Sequence, residues 1–321
     1  MTISAEQAKW YEETFSLLAD NIELAILGKR HVIELVLATA LAGGHVLLED
    51  VPGTGKTALA RTLAQTVKGT SSRIQFTPDL LPGDVTGVTV FDQKKGTFTF
   101  HAGPVFANIV LADEINRASP KTQSALLEVM EEGNVTVDGV TRPVGSPFLV
   151  IATQNPVEQA GTYRLPEAQL DRFMIKTSLG YPDEAATLRI LQGATKGTTE
   201  VPGIVEPDTL LAMQELAKTV YVNPIISDYI MRIVEATRRA AEARLGVSVR
   251  GALALARLAT TWAAARGRTF VTPDDVRDLA VPALAHRIML EPEAEFDGVT
   301  AVDVIGQVLL DVPAPTENGS A

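Results

Sequence analysis

The chain of 321 residues contains no cysteine, which excludes disulfide bonds and metal sites built on thiolates. It also lacks an excess of basic residues, since 28 lysines and arginines stand against 39 acidic residues and give a formal net charge of −11. That charge argues against a general nucleic-acid-binding protein, although it does not exclude a local basic patch. The four histidines are scattered along the sequence and indicate no metal centre of their own.

Long apolar runs are absent as well. No run approaches the roughly 18 residues that a membrane-spanning helix needs. The N-terminal stretch MTISAEQAKWYEETFSLL carries acids and no apolar segment, so it does not read as a signal peptide. With 46% hydrophobic and 21% charged residues, the composition is typical of a globular protein, and we expect a cytoplasmic one.

Five short apolar runs predict the strands of a parallel sheet. Four are strong, at 45–49, 73–76, 108–113 and 148–153, and a weaker fifth lies at 173–179. Continuous rather than alternating apolar residues are typical of strands buried on both faces. Helical patterns separate the runs, one of them with Ser119 as predicted N-cap and Pro120 at the first helical position. This alternation predicts an α/β domain with a sheet covered on both sides.

Two stretches interrupt the alternation and predict β-hairpins. Residues 97–100 read Thr-Phe-Thr-Phe, which is the pattern of a half-buried strand. Asp138-Gly139 separates two alternating segments, and this dipeptide is a strong signal for a two-residue hairpin turn. Both hairpins are predicted to be insertions into the α/β framework.

After residue 182 the pattern becomes helical, with no strand-like run. One predicted helix has Ser227 as N-cap and stops at Gly246, and another has Thr272 as N-cap with Asp275 in a capping-box position. The predicted organisation is therefore an α/β domain at 1–181, a helical domain at 182–311 and a disordered tail at 312–321.

The stretch LEDVPGTGKT follows the first predicted strand and opens the next helix, as a phosphate-binding loop does. Gly53 and Gly55 allow backbone amides to turn toward a phosphate chain, Lys56 supplies a charge for the β- and γ-phosphates, and Thr57 offers a hydroxyl to Mg²⁺. Asp50 occupies the slot of the first glycine, which we attribute to the tolerance of aspartate for unusual backbone angles. The alternative is a glycine-rich turn with a chance lysine.

Polar residues end two further predicted strands. IVLADE delivers Asp113, which would hold Mg²⁺, and Glu114, which would polarise the water that attacks the γ-phosphate. FLVIATQNP delivers Asn155, whose amide could contact the γ-phosphate. The alternatives are solvated acids at a strand end and a simple Asn155-Pro156 turn.

These three motifs in this order resemble those of an AAA+ ATPase. DEINRASPKTQSALLEVMEEGNVTVDG and GTYRLPEAQLDRFMIK closely resemble the MoxR branch of that superfamily. The resemblance covers about residues 20–290 and implies an α/β fold: an αβα core with a parallel five-stranded sheet and β-hairpin inserts, followed by an all-helical lid domain. The hairpins would be the helix-2 insert, around 86–103, and the pre-sensor-1 insert, around 133–144.

The resemblance also implies roles for individual residues. Asn155 matches sensor 1, Arg172 matches the arginine-finger position, and Arg250 resembles the sensor 2 arginine at the start of a lid helix. Arg117 and Arg164 are rival candidates for the arginine that acts in trans. Alternatively, Arg172 is a surface residue paired with Asp171, and Arg250 is an ordinary helix-start arginine.

The candidate site residues fall into three groups by expected role. The catalytic candidates are Glu114, Asn155, Arg172 and Arg250; the nucleotide-binding candidates are Ile26, Leu27, Gly28, Pro52, Gly53, Thr54, Gly55, Lys56, Thr57 and Ala58; the Mg²⁺ candidates are Thr57 and Asp113. Ile26 and Leu27 could alternatively belong only to the core. The acid cluster Glu128, Glu131, Glu132 and Asp138 reads as solvated surface and not as a metal site.

The family implies a Mg²⁺-dependent ATPase that works as a ring, often a hexamer, and remodels client proteins, frequently with von Willebrand factor A domain partners. A magnesium-chelatase-like subunit shares this core and remains an alternative. A nucleic-acid motor is a further alternative, opposed by the net charge and by the acidic hairpin tip at 137–139, although Lys94 and Lys95 lie in the other hairpin.

Overall fold

The computed structural model describes residues 2–51, 53–94, 96–155, 162–163, 165–193 and 201–315. The sequence-based predictions for Pro52, Lys95, Arg164 and the residues after 315 lie outside these ranges. The strands are β1 (Val46–Glu49), β2 (Ser71–Gln75), β3 (Gly87–Asp92), β4 (Thr97–Ala102), β5 (Ile109–Asp113), β6 (Asn134–Val137), β7 (Val140–Pro143), β8 (Leu149–Gln154), β9 (Ile175–Thr177), β10 (Ala243–Leu245) and β11 (Met289–Leu290).

Some helices precede β1, others lie between β1 and β9, and the rest follow β9, with β10 and β11 among them. They are α1 (Ala5–Glu23), α2 (Arg30–Leu41), α3 (Lys56–Thr66), α4 (Pro82–Thr86), α5 (Pro120–Glu132), α6 (Glu167–Leu170), α7 (Glu184–Leu191), α8 (Pro207–Ala217), α9 (Pro224–Arg239), α10 (Val249–Ala264), α11 (Pro273–Leu284), α12 (Pro292–Phe296) and α13 (Ala301–Asp311). Within the described ranges, no helix is long and apolar enough to cross a membrane.

The five predicted apolar runs form one parallel sheet in the order β2-β5-β8-β1-β9, which confirms the predicted α/β fold. Successive residues of β5 point to opposite sides: Ile109 and Leu111 pack in one apolar cluster, Val110 and Ala112 in another. The sheet is thus covered on both sides. The expectation of burial on both faces is wrong for β2, because it is an edge strand with most of its side chains exposed to some degree.

Both predicted hairpins are present, as β3–β4 and β6–β7. The turn of the second has φ of 52° at Asp138 and 75° at Gly139, the left-handed geometry that a two-residue hairpin turn requires. At the base of the first hairpin, a Cβ on Gly103 would lie 2.3 Å from the backbone oxygen of Val85, so only glycine fits there.

The region after residue 182 is helical but contains one short antiparallel ladder, β10–β11, which the sequence did not predict. The predicted bounds of α9 are also wrong. Asn223 is its N-cap, Pro224 is its first residue, and the helix ends at Arg239 because the chain turns toward β10. The prediction for α11 is confirmed: the Asp275 carboxylate accepts from the backbone N of Thr272 at 2.8 Å.

A buried ion pair joins the core to the lid. The Arg287 Nε donates to Asp171 Oδ1 at 2.6 Å, and Arg287 Nη2 donates to the backbone oxygen of Phe173 at 2.8 Å. The hydroxyl of Ser248, the N-cap of α10, donates to the other Asp171 oxygen at 3.0 Å. Burial lowers the pKa of Arg287, and the neighbouring Asp171 carboxylate counteracts that effect. Two lid segments are therefore fastened to the turn that follows α6.

We expect Arg287→Met to destabilise the protein strongly. The methionine would keep apolar volume but leave the partly buried Asp171 carboxylate without its cation, a loss of about 3–5 kcal/mol in free energy of unfolding. Urea unfolding followed by circular dichroism would measure it. Arg239→Met is the matched control: that side chain is 81% exposed, so its free energy of unfolding should change by less than about 0.5 kcal/mol. Equal midpoints for the two variants would contradict the prediction.

Candidate active site

The loop between β1 and α3 borders a cleft of about 300 Å³ at the carboxyl edge of the sheet. Gly53 has φ of 85° and Gly55 has φ of 97°, so both use the left-handed region that glycine favours. Gly55 is the N-cap of α3, whose positive end faces the cleft. The cleft is lined by Asp50, Gly53, Thr54, Gly55, Lys56, Thr57, Ala58, Arg73, Gln75, Asp113, Glu114, Thr153, Gln154 and Asn155. This arrangement can bind a phosphate chain.

The Lys56 side chain lies back over the loop that carries it. Its Nζ donates to the backbone oxygen of Val51 at 2.8 Å and to that of Asp50 at 3.3 Å. These bonds place the ammonium group in the same cleft as the carboxylates of Asp113 and Glu114. The cleft thus holds Lys56 and Asp50 on the loop side, and Asp113, Glu114 and Arg73 on the side of β5 and β2.

Asp50 does not use an unusual backbone angle, because the residues with positive φ outside glycine are Lys68, Glu114 and Asp138 among those described. The sequence-based reason for its place in the loop is therefore wrong. Instead, its carboxylate is buried and hydrogen-bonded to residues that follow β9. Ser178 Oγ donates to it at 2.9 Å, the backbone N of Leu179 at 2.6 Å, and that of Gly180 at 2.9 Å.

The two acids at the end of β5 are held in different ways. Asp113 Oδ1 accepts from Thr153 Oγ1 at 2.6 Å, and Asp113 Oδ2 accepts from Arg73 Nη2 at 2.7 Å. Glu114 has φ of 55° and ψ of 50°, a left-handed conformation that is uncommon for glutamate and concentrates at functional sites. Its side chain therefore leaves the direction of the strand and enters the cleft.

Two residues of β2, Arg73 and Gln75, were missed as site residues. Gln75 Nε2 donates to Glu114 Oε2 at 2.8 Å, and Arg117 Nη1 donates to the same oxygen at 2.9 Å. A signal was available, since Arg73 and Gln75 alternate with apolar residues and so share one face of the strand. Arg117, a rival candidate for the arginine that acts in trans, thus contacts Glu114 of its own chain.

Mg²⁺ would find suitable ligands in this cleft. Thr57 offers an exposed hydroxyl, and Asp113 offers a carboxylate in the same cleft, which are the hard oxygen ligands that Mg²⁺ prefers. Among the described residues, no group of three histidines or acids forms a metal site by itself. Such a donor set fits an ion that arrives with phosphate oxygens and does not suit a free-standing metal site.

Asn155 follows β8 and is buried at the same cleft. Gln154, beside it, donates from Nε2 to Glu49 Oε1 at 2.7 Å and thereby ties the ends of β8 and β1 together. Asn155 therefore lines the same cleft as the phosphate loop, and its contact with a γ-phosphate stays a prediction.

The stretch Ile26–Gly28 lies between the loop and the lid. A Cβ on Gly55 would lie 4.0 Å from Ile26 Cδ1, and one on Gly28 would lie 3.2 Å from the Cβ of Ala186 in α7. Ile26 and Leu27 are both buried, which also agrees with the alternative that they are only core residues. The position beside the phosphate loop is nevertheless where the base of a bound nucleotide would extend.

Arg172 and Arg250 come together away from this cleft. Arg172 Nε donates to Glu131 Oε2 at 2.8 Å, and Arg250 Nη2 pairs with the other Glu131 oxygen. The two arginines lower the pKa of Glu131, with the hydrogen bond from Arg172 as the largest cause. Glu131 is therefore an ion-paired residue at the surface, and all four acids of the cluster are exposed, as predicted. The alternative pair Arg172–Asp171 is not formed among the described residues, because Asp171 binds Arg287.

The arginine pair lies at the amino edge of the sheet. It shares a cavity with Gly43 and Gly44, which precede β1, whereas the phosphate loop follows β1. Neither arginine lines the phosphate-loop cleft. Both are therefore separated from their own chain's candidate site by the length of a sheet strand.

A parallel sheet with a phosphate loop after β1, paired acids after β5 and an asparagine after β8 defines a P-loop nucleoside triphosphatase. Comparison with known proteins identifies the family within this class of nucleoside triphosphatases. Residues 45–175 match the ATPase family associated with various cellular activities (AAA), and residues 235–308 match the AAA lid domain.

Relatives match along almost the whole chain. The chain is 42% identical to chaperone MoxR1 of Mycobacterium tuberculosis, over 93% of this chain and 81% of that protein, and 30% identical to protein MoxR of Methylorubrum extorquens, over 92% and 93%. It is 47% identical to the uncharacterized protein YeaC of Bacillus subtilis, over 94% and 95%. The crystal structure of a candidate ATPase from Cytophaga hutchinsonii superposes with a TM-score of 0.90 at 39% identity, covering 97% of this chain and 98% of that one. The chain belongs to the MoxR family of AAA+ ATPases and is an ATP-hydrolysing enzyme.

We expect Lys56→Ala and Glu114→Gln to separate ATP binding from ATP hydrolysis. Without Lys56, the β- and γ-phosphates lose their neutralising charge, so calorimetric titration should show little binding.

Glu114→Gln keeps the shape and the contact with Arg117 but cannot polarise water as a carboxylate does, so ATP should bind normally while turnover falls by about 10²-fold or more.

Lys94→Ala, in the hairpin outside the cleft, is the control and should bind and hydrolyse ATP normally. Rapid turnover by Glu114→Gln would transfer the catalytic role to another residue, with Asp113 the first candidate. Unchanged ATP affinity in Lys56→Ala would overturn the assignment of the phosphate loop.

Proposed function

We propose that this ATPase is Mg²⁺-dependent, works as a ring of identical subunits in the cytoplasm and remodels client proteins as a chaperone. In this proposal, residues 1–181 are the nucleotide-binding core, residues 182–311 are the lid, and the ring is a hexamer. The single observation that carries the proposal is the separation between the phosphate loop and the Arg172–Arg250 pair. One chain holds the loop at the carboxyl edge of its sheet and presents two arginines at the amino edge.

That separation favours an assembly in which each arginine pair serves a neighbouring subunit. Two guanidinium groups would stabilise the charge that develops on a γ-phosphate during hydrolysis. Glu131 holds them together on one patch, so a single rotation between subunits can bring both to one site. A heterologous contact of this kind closes into a ring.

The hydrolysis step follows from the positions of the cleft residues. Backbone amides of the loop and Lys56 would bind the β- and γ-phosphates, while Thr57 and Asp113 would hold Mg²⁺, which neutralises charge on those phosphates. Glu114, held by Gln75 and Arg117, would accept a proton from the attacking water. Asn155 would orient that water or the γ-phosphate.

Client remodelling is supported by the two hairpins. Arg142 of β7 lies over the ring of Phe100 in β4, 4.0 Å from its centroid, so the hairpins form one unit. Phe91 and Phe98 pack against each other in a tilted arrangement near the tip of the first hairpin, with ring centroids 5.1 Å apart, and Phe98 is 74% exposed. Exposed aromatic residues on a projecting hairpin suit contact with another protein.

We expect Arg172→Ala to bind ATP normally and hydrolyse it poorly, because an arginine acting in trans contributes about 10³–10⁵ in rate. The specific activity of the wild-type protein should rise with concentration. Mixing Arg172→Ala with Lys56→Ala should restore part of the activity, since about a quarter of the sites then pair an intact Lys56 with an intact Arg172. A phosphate-release assay would follow all three effects.

The fully exposed Arg239 provides the matched control, and Arg239→Ala should retain full activity at every concentration. A mixture that stays inactive although both variants assemble would argue against Arg172. Full activity of Arg172→Ala alone would do the same, and Arg164 would then be the next candidate.

The class of partner can be tested by stimulation of ATP hydrolysis. We expect a von Willebrand factor A domain partner encoded near this protein to stimulate the ATPase, and single-stranded DNA and a porphyrin-binding subunit to have no effect. Turnover rates with each addition would be compared at one protein concentration. Stimulation by single-stranded DNA would favour the nucleic-acid motor, and stimulation by the porphyrin complex would favour the magnesium-chelatase-like role.

A further inference from the structure

Asp50 places a buried carboxylate at the start of the phosphate loop. The residue is 4% exposed, and three donors from Ser178, Leu179 and Gly180 occupy its two oxygens. Oδ1 accepts from the Ser178 hydroxyl and the Gly180 amide, and Oδ2 accepts from the Leu179 amide. All three donors are uncharged, and among the described residues Asp50 forms no ion pair.

This placement has an electrostatic cost for a phosphate site. A carboxylate beside the loop repels a phosphate chain, and the low local dielectric strengthens that repulsion. Glycine, the usual residue in this slot of the motif, would avoid it, and the backbone here has no need of glycine because φ is not positive. The carboxylate is therefore retained for its three bonds and not for the shape of the loop.

The bonds connect the loop to the base of the lid. Residues 178–180 follow β9, and the chain then runs through Tyr181, whose backbone oxygen accepts from Lys29 Nζ at 2.7 Å, to Asp183, the N-cap of α7. A Cβ on Gly28 would lie 3.4 Å from Asp183 Oδ2. The same segment thus contacts the loop through Asp50 and borders the Ile26–Gly28 stretch where the base would lie.

We propose that Asp50 is a positioning residue that fixes the distance between the phosphate loop and the wall of the adenosine pocket, so that both ends of ATP are held at once. This inference rests on the proposed nucleotide site. Under this proposal, Asp50 contributes to binding affinity only when the ligand carries an adenosine group. A ligand with phosphates alone engages only the loop and gains nothing from the alignment.

The test compares ATP with inorganic tripolyphosphate on Asp50→Asn. An asparagine has one acceptor oxygen, so its NH₂ group must face at least one donor of residues 178–180. A hydrogen bond to a charged acceptor is worth roughly tenfold or more in an equilibrium constant. We expect ATP to bind about tenfold more weakly, whereas tripolyphosphate binds equally or more tightly because the repelling charge is gone. Calorimetric titration of the full chain measures both affinities.

Two further variants make the result decisive. Ser178→Ala removes one donor and keeps both backbone bonds, so it should show the same change in the ratio of the two affinities to a smaller extent. Asp275→Asn alters a carboxylate that is 2% exposed and caps α11 far from the loop. This variant should lower the midpoint temperature of thermal unfolding and leave the ratio of the ATP and tripolyphosphate affinities unchanged.

Equal weakening of ATP and tripolyphosphate in Asp50→Asn would overturn the inference, because it would show only a local role in the loop. An unchanged ratio in Ser178→Ala would overturn it as well, and this variant decides alone if Asp50→Asn does not fold. Failure of the nucleotide site itself would look different: Lys56→Ala would then bind both ligands as tightly as the wild type.

Discussion

Parallel pairing of the central strands is the constraint on which the site depends. β5, β8 and β1 lie side by side in the same direction, so the residues that follow them meet at one edge. Neighbouring strand ends also hold one another: Thr153 at the end of β8 binds Asp113 at the end of β5, and Gln154 binds Glu49 at the end of β1. A shift of one strand by one residue would reverse which side chains face the apolar clusters and would separate the loop from the acids.

The same directionality underlies the proposal that the two arginines act on a neighbouring subunit. Parallel strands have a carboxyl edge with the phosphate loop and an amino edge without it. Glu131 gathers Arg172 and Arg250 at the amino edge, where they contact no group of their own cleft. Such an arrangement does not serve the chain's own cleft, because arginines at this distance contribute nothing to a transition state there. It becomes useful when a second copy presents its carboxyl edge to them.

Local patterns in the sequence predicted much of this structure. The apolar runs predicted all five strands of the sheet, Asp138-Gly139 predicted a hairpin turn, and Ser119 and Thr272 predicted the starts of two helices. These predictions succeeded because each signal acts within a few residues. The β10–β11 ladder was missed since its strands are two or three residues long and their partners lie more than forty positions apart. The contact of Asp50 with residues 178–180 could not be predicted from the sequence either, because these residues lie about 130 positions away. Asp50 was instead explained from the sequence by a local property, its tolerance of unusual backbone angles. The pairing of Arg172 with Glu131 likewise depends on tertiary packing that no spacing rule reports.

Asp171 and Glu131 connect the core with the lid, and Asp50 connects the phosphate loop with the segment that leads into the lid. Asp50 binds residues 178–180 at the carboxyl edge of the sheet, and Glu131 binds Arg250 of α10 at the amino edge. Asp171 borders the same cavity as Glu131 and accepts from Ser248 and from the buried Arg287, so it fixes the start of α10 and the segment after α11 to the turn that also carries Arg172. Since Ser248 caps the helix that bears Arg250, both arginines are positioned through neighbouring residues of one hydrogen-bonded cluster. A rigid-body movement of the lid would therefore move Arg250 relative to Arg172, which lies on the core turn, and would disturb the arginine pair on which the proposed ring depends.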